Sequence, residues 1–471
     1  MSQCCSRPVP VQLSRKASTP VSINHDLPVA IIGGGPVGLA AAAHLVTKGE
    51  SFILFEAAAH IAGNVGNWGH VRVFTPWPFI ADKAARQLLE ASEWKLPNEE
   101  AFPTGKEIID EYLVPLAQLP AIKPFVHYNA KVVAVSRKGL SKVKTAGRDK
   151  LPFVLHVQQE NQTIRYEAKA VIDASGTWSN PNPAASDGVW TREEQALSSQ
   201  ITYGIPDLGK EQKRYAAKHV LVVGSGHSAI HALLDLERLQ EQQPQTTITW
   251  IIRKSNVQEV FGGQERDALR ERGLLGMRLQ ELVESGKIAV YTSFLINGFE
   301  KDGARINVLG KVNGETVRIN GLDEIISNTG SRPDISFLRE VRIDMDTDIE
   351  SVTALAPLID PNIHSCGTVR PHGEKELRQP DPNFYVAGSK SYGRAPTFLM
   401  ATGYEQVRSI VAAISGDWEA AANVELDLPE TGVCSVNGSV LYSNSLSETQ
   451  QAENQSSQTT ASSTSHTSCC N

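Results

Sequence analysis

Short runs of consecutive apolar residues, spaced along the chain and separated by helical stretches, set the first reading of this sequence. Val29-Ala30-Ile31-Ile32, Phe52-Ile53-Leu54-Phe55, Ala170-Val171-Ile172 and Val220-Leu221-Val222-Val223 are predicted strands, and so is Asn383-Phe384-Tyr385-Val386-Ala387-Gly388. Helices are predicted over Ala81 to Ala91, over Gly105 to Ala117 and over Thr402 to Ile414, the second entered through Phe102-Pro103-Thr104-Gly105. Residues 125–176 turn strand-like. Val132-Val133-Ala134-Val135, Pro152 to Val157 and Thr163 to Tyr166 read as a three-stranded meander that leads into Ala170 to Trp178. A second unit repeats this order. Strand and helix from His219 are followed by a meander at Arg305 to Val308 and Thr316 to Ile319, which runs into Glu324 to Asp334. The same parts in the same order imply a duplicated α/β architecture, and the last strand and helix return the chain to its first domain.

A chain of 471 residues has room for two or three domains. An apolar content of 41% and a charged content of 21% are those of a soluble globular protein. A net charge of −7 without a basic block argues against a nucleic-acid partner. Hydropathy alone would allow residues 29–46 to cross a membrane. Their glycines, Pro36 and strand-like start favour a buried βα unit, so no membrane partner is expected. The N-terminal segment carries Arg7, Arg15 and Lys16 with no apolar core after them, and no signal peptide is expected. Cysteines stand at 4, 5, 366, 434, 469 and 470, with no CxxC. That pattern is neither a disulfide framework nor a zinc site, no metal is expected, and reduced thiols in a cytoplasmic setting fit it. Residues 1–26 and the Ser/Thr-rich 436–471 read as disordered tails.

Two glycine fingerprints carry the chemistry. In Gly33-Gly34-Gly35-Pro36-Val37-Gly38, Gly33 permits a tight turn, Gly35 lets backbone amides approach a diphosphate, and Gly38 lets the helix lie close to the sheet. The helix start adds roughly half a positive charge. Glu56, 23 residues after Gly33, is placed to accept hydrogen bonds from an adenosine ribose. A carboxylate there repels a 2′-phosphate, so this turn is expected to take FAD or NAD. In Gly224-Ser225-Gly226-His227-Ser228-Ala229 the close-packing position is alanine, and Ser228 is placed to donate to a pyrophosphate. Arg253 and Lys254 stand where a ribose-binding acid would be. A guanidinium there suits a 2′-phosphate, favouring NADPH over NADH; the blander alternative is a solvated strand end. Two such sites together suggest electron transfer from a nicotinamide to a flavin.

With Asp173-Ala174-Ser175-Gly176-Thr177-Trp178 and Asn328-Thr329-Gly330-Ser331-Arg332-Pro333, residues 28–420 resemble the two-dinucleotide-binding-domain flavoproteins. That group includes flavin-containing and Baeyer–Villiger monooxygenases and thioredoxin-reductase-like oxidoreductases. The resemblance implies two Rossmann-like three-layer domains. An FAD domain would span 27–180 and 331–435, with an NAD(P)H domain, 181–330, inserted in it. Gly176 to Pro181 and Phe102 to Glu107 are most similar to the monooxygenases. Three departures stand out. The oxygenase signature FxGxxxHxxx[YFW] is missing before the second fingerprint, and no CxxC or CxxxxC redox pair is present. Where the group usually has Gly-Asp near the ribityl chain, this chain has Gly388-Ser389-Lys390.

The resemblance further implies that Gly33, Gly35, Pro36, Gly38, Glu56, Gly176, Gly388, Ser389 and Thr402 bind FAD. Gly224, Gly226, Ser228, Arg253 and Lys254 would bind NADPH. No catalytic residue is identified. Arg72, Arg394, Tyr392, Trp68 and His70 are the candidates for facing flavin or substrate, with packing the alternative for Trp68 and a structural role the alternative for His70. The implied activity is oxygenation of a small substrate through a C4a-peroxyflavin. The alternatives are NAD(P)H-dependent reduction of a disulfide, quinone or metal–thiol compound, and a flavin-binding sensor without turnover. The vicinal pairs Cys4-Cys5 and Cys469-Cys470 suit a soft metal or a thiol partner, whereas Cys366 reads as inert.

Overall fold

The computed structural model describes residues 26–266, 270–364 and 372–425. All six cysteine positions lie outside these residues. In chain order, β1 (Val29–Ile32), β2 (Phe52–Phe55) and β3 (Val126–His127) precede a meander of β4 (Lys131–Arg137), β5 (Phe153–Gln159) and β6 (Gln162–Ala168). β7 (Ala170–Asp173) leads into the second half, with β8 (Ile201–Tyr203), β9 (His219–Val223), β10 (Thr247–Ile251) and β11 (Ile288–Tyr291). A second meander follows: β12 (Phe294–Asp302), β13 (Arg305–Val312) and β14 (Glu315–Leu322). β15 (Glu324–Ser327) and β16 (Phe384–Val386) complete the set.

The strands form two five-stranded parallel sheets, ordered β16-β7-β1-β2-β3 and β11-β10-β9-β15-β8, each with its own three-stranded meander. This is the duplicated α/β architecture, with the second sheet inserted in the chain between β7 and β16 of the first. β1 is wholly buried because the sheet is covered on both faces, by helices such as Pro36–Thr47 and by the β4–β6 meander, whose Phe153 and Tyr166 meet Phe384 and Phe55; this explains its unbroken apolar run. The helix Pro36–Thr47 is alanine-rich for the same reason: short side chains let it lie close to the strands. β8, β11 and β12 escaped the sequence reading. β8 has only three residues, and a bulge between Ile296 and Gly298 breaks the alternation in β12.

The predicted helix from Gly105 is also present, and a capping box closes its start: Glu107 N–H donates to the Thr104 hydroxyl and Thr104 N–H to the Glu107 carboxylate. Its middle turn, Ile109–Leu113, widens to a π-helix. The two links between the halves run side by side and antiparallel, bridged at Pro181 and Ser331. Asn182 N–H donates to the Gly330 carbonyl at 2.9 Å and Arg332 N–H to that of Asn180 at 3.0 Å. No helix among the described residues is long and apolar enough to cross a membrane.

Behind the first glycine turn lies a wholly buried ion pair, Lys390 Nζ to Asp173 Oδ2 at 2.6 Å, which joins the chain after β16 to the end of β7. Lys390 also donates to Ser175 Oγ at 3.1 Å and lies 4.4 Å from the centre of the Phe337 ring. A buried charge left without its partner is costly. Lys390→Met or Asp173→Asn should therefore lower unfolding free energy by about 3–5 kcal/mol in urea titrations, with the paired apolar replacement of both costing much less.

Candidate functional site

The first turn meets the physical requirements of a dinucleotide diphosphate. Gly33 has φ +101°, and a Cβ on it would lie 2.8 Å from the Ala174 carbonyl oxygen, so the end of β1 presses on that of β7. A Cβ on Gly38 would sit 1.9 Å from the Gly33 carbonyl oxygen, so the helix lies directly on the turn. Gly35 is the N-cap of the helix, followed by Pro36, and no side chain caps its free amides. Nothing lies within 4 Å of a Cβ built on Gly35, so space and unsatisfied donors coincide. Glu56, 8% exposed, accepts from Gly34 N–H at 2.9 Å and from Ala58 N–H at 2.8 Å. A carboxylate has about four acceptor positions, so two remain for ribose hydroxyls. Across the turn, a Cβ on Gly176 would be 3.5 Å from Ser389 Oγ, and Gly388 (φ +71°) packs against Val37. The helix Met400–Ile414, with Thr402 buried in its first turn, reaches Val37 through Gly403.

The second turn repeats the device. Gly224 has φ +125°, and a Cβ there would be 2.4 Å from the Asn328 carbonyl oxygen. Gly226 caps the helix His227–Gln242 with no side-chain acceptor and nothing within 4 Å of its Cβ position. This turn opens on a cleft of about 840 Å³, whose walls include Trp178, Ser228, Arg253, Asn328, Arg332 and Arg394. The opposite wall, residues 184–188, is held by buried Glu194. Its carboxylate accepts from Ala184 N–H at 2.6 Å, Ala185 N–H at 3.3 Å and the Tyr203 hydroxyl at 2.7 Å. Burial and that carboxylate push the Tyr203 phenol well up, so it stays a donor.

Residues 30–365 match the family described as pyridine nucleotide-disulphide oxidoreductase. The chain belongs to this family. It is similar to ferredoxin–NADP reductase 2 of Exiguobacterium sibiricum, 22% identical over 354 residues, 74% of this chain and 82% of that one. Among solved structures, the bacillithiol disulfide reductase Bdr (YpdA) from Bacillus cereus shares its fold with a TM-score of 0.61 at 18% identity, covering 83% of this chain and 99% of the other. DfoA, the cadaverine monooxygenase of Erwinia amylovora, does so with a TM-score of 0.61 at 12% identity, over 88% and 99%. The protein is an oxidoreductase of the two-dinucleotide-binding-domain flavoprotein group.

Within this pyridine nucleotide-disulphide oxidoreductase the predicted residues separate. Arg253 is exposed in the cleft, with no hydrogen-bond or ion-pair partner among the described residues. Lys254 is committed elsewhere, its Nζ donating to the Glu259 carbonyl at 2.9 Å. Arg394 lines the cleft with its side chain exposed. Arg72 does not reach it: its guanidinium donates to the Phe102 carbonyl and lies 3.6 Å from Glu107, bracing the neighbouring turn. Trp68 packs on Gly105, where a Cβ would be 2.7 Å from its ring. Tyr392 is buried, edge-on to Phe398 at 5.3 Å, and burial pushes its phenol far up. Trp178, Asn182, Tyr203, Asn328 and Arg332 line the cleft but were missed as site residues. For Asn328 a signal existed, because it directly follows the strand beside the second fingerprint.

His70 lies where the two halves meet. Its buried Nε2 has no hydrogen-bond partner among the described residues. Phe74 from the same segment stacks on His231 at 5.7 Å and meets His227 edge-on at 5.2 Å. Burial first, then the positive charges of His227, Arg238 and His70, push His231 down to about 4. The unfolded chain therefore binds the proton more readily, with a pKa near 6.5. Stability is full above that value and falls as pH drops towards 4. His231→Phe should flatten this loss in melting temperatures measured from pH 7 to pH 4.

Proposed function

We propose that the protein is an NADPH-dependent, FAD-linked reductase that delivers two electrons to an acceptor entering the interdomain cleft. The observation that carries the reading is the pair of uncapped, glycine-led helix starts, one beside a buried carboxylate and the other beside an unpartnered guanidinium. Gly33, Gly35, Pro36, Gly38, Gly176, Gly388, Ser389 and Thr402 would hold FAD, with Glu56 accepting from its adenosine ribose. Gly224, Gly226 and Ser228 would receive the NADPH diphosphate, and Arg253 its 2′-phosphate. Lys254, tied to a carbonyl, takes no part. When bound, FAD supplies the two-electron redox centre, while the protein orients donor and acceptor around it.

Two features support reduction of an acceptor over oxygenation. Arg253, Arg394 and Pro396 leave the cleft wall exposed to solvent, whereas oxygenation calls for a water-excluding pocket. The kinship with ferredoxin–NADP reductases points the same way. Oxygenation of a small substrate is the second reading, favoured by Trp178, whose ring closes on Gly204 at one edge of the cleft. Anaerobic reduction of the FAD-loaded protein by NADPH, followed by mixing with oxygen, separates the two. Direct return to oxidised flavin with stoichiometric hydrogen peroxide is expected. Oxygen incorporated into an added amine, thioether or ketone would establish the second reading instead.

Arg253→Ala removes a charge-assisted clamp worth about 1.5–3 kcal/mol. The dissociation constant for NADPH should rise about 10- to 100-fold while that for NADH barely changes, as read by flavin-independent calorimetry with NADP+ and NAD+. Equal losses on both nucleotides would refute the 2′-phosphate assignment.

A further inference from the structure

Both amide atoms of Asn328, Oδ1 and Nδ2, are buried without a hydrogen-bond partner among the described residues. Such a group is unfavourable in a folded protein unless something completes it. Its placement shows what does so. Asn328 N–H donates to the Val223 carbonyl at 2.8 Å, which seats the residue beside the end of β9, and its own carbonyl abuts Gly224. The side chain lines the same cleft as Gly224, Ser225 and Gly226.

In the sheet order β11-β10-β9-β15-β8, the chain runs outward through β10 and β11 on one side of β9, and β15 lies on the other. The gap between β9 and β15 is thus the point where strand order reverses, and a dinucleotide lies across it. Arg253 follows β10 and marks the adenosine flank of the turn. Asn328 follows β15 and marks the opposite flank, where the chain of a dinucleotide continues from diphosphate to its second ribose.

We propose that Asn328 binds the nicotinamide ribose of NADP, Nδ2 donating to one hydroxyl of the diol and Oδ1 accepting from the other. This rests on the reading that the second turn holds NADP. The residue is a positioning residue: by fixing that ribose it sets where the nicotinamide ring is presented, and it takes no part in the transfer itself.

Calorimetry on the FAD-loaded protein tests the assignment with three ligands: NADP+, 2′-phospho-ADP-ribose, which lacks only the nicotinamide, and adenosine 2′,5′-bisphosphate, which lacks the second ribose. Asn328→Ala keeps the Cβ and carbonyl that meet Gly224, and Asn328→Leu fills the same space without polar atoms. Both variants should weaken the first two ligands by about tenfold and leave the bisphosphate unchanged, with melting temperatures at or above that of the parent protein. Unchanged affinity for all three ligands, or an equal loss on all three, would overturn the proposal. A loss confined to NADP+ would also overturn it, since the contact would then be to the carboxamide. If the parent protein binds none of the three, the NADP reading itself fails and this inference with it.

Discussion

Asp173 is the buried carboxylate on which the floor of the first nucleotide turn depends. One of its oxygens receives the Ser175 amide at 3.1 Å and hydroxyl at 2.6 Å; the other receives Lys390. Between those anchors lies Ala174, whose carbonyl oxygen leaves room only for hydrogen at Gly33. The end of β7, on which β1 turns, and the chain after β16 are thus brought to one point by a pair of opposite charges. Both side chains are fully shielded from solvent, so losing either partner would leave the other a buried unpaired charge.

At Gly388-Ser389-Lys390, where a carboxylate would be expected after the glycine, Lys390 is the buried partner of Asp173. Ser389 is left facing Gly176, while Lys390 turns inward.

Most of the fold was legible because parallel strands and glycine turns are written locally. An unbroken apolar run followed by Gly33 or Gly224 admits few backbone solutions, and both turns lie where the motifs put them. Glu56 and Arg253 likewise stand just past the strands adjacent to the two turns, where the sequence pattern puts them. The cleft was not. Asn182 and Tyr203 come from segments far along the chain from Asn328 and Arg332, and the pairing of the two interdomain links and of β8 with β15 assembles them. Nor could the sequence show that the guanidinium of Arg72, in a glycine-rich loop, is held by the Phe102 carbonyl and Glu107. The unpartnered amide of Asn328 had no sequence signature at all, because satisfaction of a hydrogen bond is a property of three-dimensional neighbours.

The paired links between the halves carry a mechanical consequence. Asn182 donates to the Thr329 carbonyl and accepts from Arg332, and Ser331 donates to the Thr177 hydroxyl, so the two strands cannot slide past each other without breaking side-chain as well as main-chain bonds. A ribbon of that kind resists shear and stretching but yields to bending and twist, in the manner of a leaf spring. Sliding of one link along the other is thereby opposed, whereas a bend of the ribbon as a whole leaves these bonds intact.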